Sequence, residues 1–110
     1  MGDNDINVGE LLIKGQNHYQ KDIISIFKKK SDGFAQELDI EGFLEPEPTN
    51  KQDANAVRLR VDGEVVGYIA REKAQSAKEK IGNGVKVSCK LLWNRDPETP
   101  MFSIVVTSVH

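Results

Sequence analysis

The sequence predicts an α+β domain: a mostly antiparallel sheet of about six short strands with two helices packed on it. Three observations predict it. Val57, Leu59 and Val61 alternate with Arg58, Arg60 and Asp62 up to an Asp62-Gly63 turn, the pattern of a hairpin with one buried face. Two stretches repeat apolar residues at spacings of three and four instead. Alternation then returns near the C-terminus, with Val85, Val87, Cys89 and Leu91 on one side of a strand.

Taken in order, Met1–Gly9 carries no packing signal and reads as a flexible leader, followed by a single domain over residues 10–110. Leu11–Lys14 is a short strand stopped by Gly15. Tyr19–Lys30 is a helix: Tyr19, Ile23, Ile26 and Phe27 share a face, Asn17 is placed to cap it, and Lys28-Lys29-Lys30 sit where the helix dipole favours cations. Ser31-Asp32-Gly33 ends it. Leu38–Leu44 is a second strand with a bulge expected at Gly42.

The polar loop Glu47–Asn55 comes next and feeds the hairpin. A two-residue turn pairs Val61 with Glu64, Leu59 with Val66 and Val57 with Tyr68, all on one face. That register sets Tyr68 beside the end of the loop, with Arg71 just beyond, and gathers Asn50, Asp53, Asn55, Tyr68 and Arg71 at one mouth. Glu72–Gly82 is the second helix. Ala70, Ala74, Ala77 and Ile81 fall on one face, small enough to lie close to a sheet, and Gly82-Asn83-Gly84 closes it. Val85–Leu92 and Met101–Val109 are the last two strands, joined by the loop Arg95–Pro100; Val105 and Val109 are expected outward, Ile104 and Val106 inward. The element order is β-α-β-β-β-α-β-β, without internal repeats.

Composition bounds the function. The 110 residues suffice for one modest core, and no apolar run approaches a membrane span. The acidic, polar N-terminus has no basic flank or apolar signal region, so a cytoplasmic location is expected. A single cysteine excludes an internal disulfide and a cysteine-cluster metal site; at its strand position Cys89 is expected as a buried thiol. The net charge of −2 argues against a bulk polyanion binder but leaves room for a small local site. Two histidines, no metal-ligand spacing and no nucleophile motif give an enzyme built on His18, Asp53 and Glu47 little support, and no cofactor is expected.

The ordered pattern Glu47-Pro48-x-Asn50-x-x-Asp53-x-Asn55-Ala56-Val57, a strand, a turn, then Val66-Gly67-Tyr68-Ile69-x-Arg71 resembles the HIRAN domain. Gly15-Gln16-Asn17-His18-Tyr19-Gln20 before a helix and the Cys89 strand are similar to its small standalone bacterial members, so the resemblance covers nearly the whole chain. It implies a small, partly open barrel similar to an OB-fold, with two helices. It implies a pocket for the 3′ end of single-stranded DNA, in a repair or replication setting, with helicase or nuclease proteins as possible partners. Asp53 would accept a hydrogen bond from the terminal hydroxyl, and Asn50 and Gln52 would meet sugar or base edges. Arg71, His18 and Lys51 would meet phosphates, with Tyr68 as a wall and Tyr19 available to stack on a base.

Each assignment has a plainer competitor. Asn and Asp routinely cap turns, so Asn50 and Asp53 can serve the loop alone. Tyr19 can be a helix anchor and His18 a surface residue, with His18 expected to be the more exposed. Arg71 can pair with Glu47 or Glu72. Arg58, Arg60 and the Lys28-Lys29-Lys30 run read as solvated charges. The chain also departs from the family: Lys51-Gln52 stands where common members carry Pro-Tyr, which removes a ring whose stacking is worth about 1–3 kcal/mol per base. The second functional reading is a protein-interaction or small-ligand module that kept the fold and lost the DNA site.

Overall fold

The computed structural model describes residues 11, 13–14, 18–30, 37–94 and 101–110. The expected leader, the Asn17 cap, the stop at Ser31-Asp32-Gly33 and the loop Arg95–Pro100 lie outside them. The elements are β1 (Ile13–Lys14), α1 (Gln20–Lys30), β2 (Glu37–Pro46), β3 (Val57–Val61), β4 (Glu64–Ile69), α2 (Arg71–Ile81), β5 (Val85–Asn94) and β6 (Met101–Val109). The order matches the sequence reading; β2 and β5 run about two residues longer at their ends.

The strands form one sheet in the order β1-β4-β3-β2-β5-β6, with every described pairing antiparallel. Its two edges, β1 and β6, come back into contact, so the sheet curls into a nearly closed barrel. Inward residues follow the strand period: Ile40 and Leu44 on β2, Val57, Leu59 and Val61 on β3, Val87, Cys89 and Leu91 on β5 are all buried. Ile23, Ile26 and Phe27 of α1 join that core, as do Ala77 and Ile81 of α2. Ala70 and Ala74 are buried with them on the small-residue face that the spacing predicted. Phe27, Phe102 and Trp93 close one flank, Phe27 and Phe102 with ring centroids 4.8 Å apart, Phe102 and Trp93 stacked at 5.6 Å. Gln20 secures the β6 edge: its side chain donates to Phe102 O at 2.8 Å and accepts from Phe102 N at 2.9 Å, as a neighbouring strand would.

Three local expectations are corrected. The Gly42 bulge is absent: β2 pairs with β5 without a break from Glu37 to Leu44. Gly42 serves a close approach instead, since a Cβ there would stand 2.9 Å from Leu59 Cδ1, 3.2 Å from Cys89 Sγ and 3.3 Å from Arg60 O. The bulge lies in the hairpin. Asp62 (φ 55°) and Gly63 (φ 82°) make the turn as expected and pair Val61 with Glu64. The register then slips between Leu59 and Arg60, so that Leu59 pairs with Gly67 and Arg58, not Val57, pairs with Tyr68. A second slip, between Ser88 and Cys89, turns Val109 back toward the core, whereas Val105 is exposed as expected.

Among the described residues no helix is long and apolar enough to cross a membrane. Because Gly42 leaves no room for a side chain, Gly42→Val overpacks the β2–β3–β5 contact. We expect it to lower stability by about 1–3 kcal/mol in urea unfolding; an unchanged midpoint would show that β2 can retreat at that point.

Candidate nucleic-acid interface

The site starts from a row of outward side chains. Glu45 on β2 stands opposite Arg58 on β3, Arg58 opposite Tyr68 on β4, and Tyr68 opposite Lys14 on β1. Directly opposed residues bring their Cβ atoms to about 4.5–5.5 Å, so the row is a contiguous line across four strands. The hairpin slip creates it: without the extra residue Tyr68 would face inward beside Val57.

The loop over this row is shaped by its own short polar side chains. Asn50 Oδ1 accepts from Gln52 N at 2.9 Å and from Asp53 N at 3.0 Å; Asp53 Oδ1 accepts from Asn55 N at 2.9 Å. Main-chain bonds from Glu47 N to Ala56 O (2.8 Å) and from Ala56 N to Asp53 O (3.0 Å) close the loop at its base. The turn-capping reading of Asn50 and Asp53 is thus realised, but unequally. Asn50 is engaged at both ends of its amide, since its Nδ2 also donates to Glu47 Oε1 at 2.7 Å. Asp53 keeps Oδ2 without a protein partner among the described residues.

A cavity of about 390 Å³ opens between this loop, the barrel wall and the start of α2. Tyr19, Asn50, Gln52, Asp53, Tyr68 and Arg71 of the expected set line it. His18 and Lys51 are exposed and do not. The expectation that His18 is more exposed than Tyr19 holds, yet Tyr19 is the one that reaches the cavity, with its ring centroid 6.4 Å from that of Tyr68. Asn55 stays outside the lining and serves the turn. Arg71 Nη2 donates to Gln52 O at 3.4 Å, and among the described residues no carboxylate pairs with it, so the expected competition from Glu47 or Glu72 is not observed. Seven residues on, Lys78 Nζ donates to Ala54 O at 3.1 Å, so α2 holds the loop from the side at two points. Ala70 provides no side-chain cap for α2, whose first-turn N–H groups leave a positive end next to Arg71.

Along the same row, on the far side of Tyr68 from Lys14, lies an ion network. Arg58 binds Glu45 through Nε and Nη2 and Glu47 Oε2 through Nη1 at 2.8 Å, and Arg60 Nη2 joins Glu45 at 3.0 Å. Arg58 is therefore held between two carboxylates and is not the solvated strand charge that alternation suggested, whereas Arg60 meets Glu45 alone and keeps 38% of its side chain exposed. Tyr68 Oη donates to the Glu47 carboxylate, lying 3.1 Å from both of its oxygens. Burial alone would raise the Glu47 pKa, but hydrogen bonds from Asn50, Tyr68 and Arg58, with the Arg58 charge, outweigh it and hold the carboxyl below its ordinary value. Burial, then the Glu47 hydrogen bond, push the Tyr68 phenol up to about 12. For Arg58, burial would lower the pKa, and the bonds to Glu45 and Glu47 raise it. Cys89 is buried and its thiol pushed up to about 12 by burial, the inert strand thiol expected.

One contributor escaped the sequence, and one was given the wrong part. Lys14 lines the cavity as its second cation, but only the β1–β4 pairing places it opposite Tyr68. Glu47 stood in the ordered pattern, in the weakly supported enzyme group and as a competitor for Arg71, never as a partner of Asn50, Arg58 and Tyr68, which come from three separate segments. Among the described residues no three His, Cys, Asp or Glu side chains converge as a metal-binding group.

Comparison with known families decides the class. A family model described as HIRAN domain matches residues 40–109, most of the chain. The chain belongs to the HIRAN family. No curated protein and no solved structure matched it. The HIRAN domain is a binding module and suggests nucleic acid as the ligand class; the match spans the loop, the hairpin and α2 of this cavity, while Lys14 and Tyr19 lie before it.

A folded pKa below the ordinary carboxylate value means that Glu47 stabilises the fold when ionised. Its contribution is fully present above about pH 4.5 and is lost as the pH falls through the lower folded value. We expect urea stability to fall with pH in that acid range and the fall to be shallower in Glu47→Gln. An identical slope in both proteins would remove Glu47 from the account.

Proposed function

We propose that this HIRAN domain captures single-stranded DNA at a 3′-hydroxyl end, in a repair or replication context, without chemistry of its own. The observation that carries the reading is that Asp53, whose Oδ2 has no protein partner among the described residues, lines one cavity with two cations, Lys14 and Arg71, and two tyrosines, Tyr19 and Tyr68. A carboxylate and a strand's phosphates repel each other, whereas a terminal hydroxyl can donate to the free oxygen. Asp53 therefore favours an end over a continuing strand. Lys14 and Arg71 offer the compensating positive charge, aided by the α2 N-terminus. About 390 Å³ is the lower range of ligand pockets, suited to one terminal nucleotide and not to a duplex.

The loss of the Pro-Tyr pair shapes the mode of capture. Gln52 has its backbone N–H bound to Asn50 and its carbonyl bound to Arg71, while its side-chain amide has no protein partner among the described residues. That amide is available to a base edge. Stacking falls to Tyr19 and Tyr68, whose planes are tilted by 43° to one another and can border a base from two sides. His18 and Lys51, exposed outside the cavity, are assigned to phosphates further along the strand.

The test is a fluorescence-anisotropy titration at low salt with a short single strand bearing either a 3′-hydroxyl or a 3′-phosphate. We expect the hydroxyl strand to bind at least about tenfold more tightly, the value of one hydrogen bond to a charged group. Asp53→Ala should erase the difference. Lys14→Ala and Arg71→Ala should each weaken binding and reduce the salt slope by about 1. Absence of binding to either strand would transfer the assignment to a protein or small-molecule ligand on the same fold.

A further inference from the structure

The loop that carries Asp53 and Gln52 makes few apolar contacts, yet its atoms must be fixed before a ligand arrives if one hydroxyl is to be told from a phosphate. Arg71 and Lys78 of α2 hold two of its carbonyls from the side, and the side-chain bonds within the loop lead back to Glu47. The Glu47 carboxylate accepts from Asn50 Nδ2 at 2.7 Å on Oε1, from Arg58 Nη1 at 2.8 Å on Oε2, and from Tyr68 Oη, 3.1 Å from each. Asn50 in turn uses its only side-chain oxygen to hold the N–H groups of Gln52 and Asp53. The backbone of Glu47 closes the same loop from both sides, its N–H on Ala56 O and its carbonyl on Asn50 N at 3.0 Å.

We infer that Glu47 is the positioning residue of this site: its one carboxylate, anchored by Arg58, sets both the Asn50 amide that holds Gln52 and Asp53 and the Tyr68 wall facing them. The inference rests on the nucleic-acid reading above for its ligand, and on the loop geometry alone for its mechanism.

The chemistry requires a carboxylate and not merely a polar group. The three contacting groups are all donors, so an amide at position 47 would turn an N–H toward at least one of them. If its oxygen kept Asn50, its nitrogen would face Arg58 Nη1, donor against donor. If it kept Arg58, the Asn50 amide would lose its fixed orientation and with it the hold on the Gln52 and Asp53 N–H groups. Asp at this position keeps the charge but is one methylene too short to span the loop and Arg58 together. The groups facing Glu47 are Arg58 from β3, Tyr68 from β4, and Asn50 from its own loop; Glu45, on β2, shares Arg58 with it. Arg60 is bound to Glu45 and does not touch Glu47, which makes it a control within the same ion network.

The experiment uses the full chain as wild type, Glu47→Gln, Glu47→Asp and Arg60→Gln, and reads two quantities. The first is amide hydrogen exchange resolved by residue, comparing Gln52, Asp53 and Asn55 with the core amides of β3. The second is the affinity ratio for the 3′-hydroxyl against the 3′-phosphate strand. We expect Glu47→Gln to speed exchange at the loop amides by about tenfold or more while the β3 core stays protected. Its affinity ratio should fall toward one, and Arg60→Gln should keep both readouts. Glu47→Asp should fall between, and is the variant to read if Glu47→Gln loses its core protection. Unchanged loop exchange in both Glu47 variants, or loop loosening that Arg60→Gln reproduces, would overturn the inference. If wild type binds neither strand, the nucleic-acid reading fails, and the exchange data still decide the role of Glu47.

Discussion

A one-residue slip between β3 and β4 decides which side of the barrel wall Tyr68 occupies. With Val66 and Gly67 both set against Leu59, Tyr68 moves from the inward line of Val57 to the outward line of Arg58. The rest of the site depends on that exchange. The phenol reaches Glu47, the ring meets Tyr19, and Lys14 becomes the next residue in the same row. In the unslipped register the tyrosine would be a core residue, and the loop above would face a bare strand.

The charges gain their meaning from the same geometry. Arg58 and Arg60 are spent on Glu45 and Glu47, so they are poor candidates for phosphate contacts. Among the described residues the cations lining the cavity are Lys14 and Arg71. A net charge of −2 is compatible with a locally positive site, because two cations line the cavity against the single carboxylate of Asp53, and the adjoining network of two arginines and two glutamates is neutral. The network also suits a recognition module. A loop held by hydrogen bonds to one carboxylate is preorganised at little cost in area, where a small barrel has no spare apolar surface to hold it.

Much of the fold was legible where chemistry is local. Asp62-Gly63 named the turn, strict alternation named β3 and β5, and the alanine face of α2 named a helix lying close to the sheet. The bulge was legible in kind but not in place. Both Gly42 and Gly67 interrupt strands, and a glycine in a strand signals either a bulge or a close approach. Alternation continues acceptably through each, so only the partner strands distinguish the two cases: Gly42 meets Leu59 and Cys89, whereas Gly67 sits in the slip. The candidate site followed the same rule. Glu47, Asn50, Asp53, Tyr68 and Arg71 were readable as one ordered motif, with Gln52 at a position where the chain departs from it. The presence of Lys14 and the anchoring part of Glu47 were not readable, because they arise from pairings between segments far apart in the chain.

The most direct test of the central claim, that ligand capture happens at the Tyr68 mouth, is an NMR titration of the isotope-labelled chain with a short single strand ending in a 3′-hydroxyl. The account predicts that amide shifts concentrate at Lys14, residues 50–56 and Tyr68–Arg71, with β5 and β6 silent. Shifts centred on the outer face of β5 and β6 around Val105, with the loop unmoved, would contradict it.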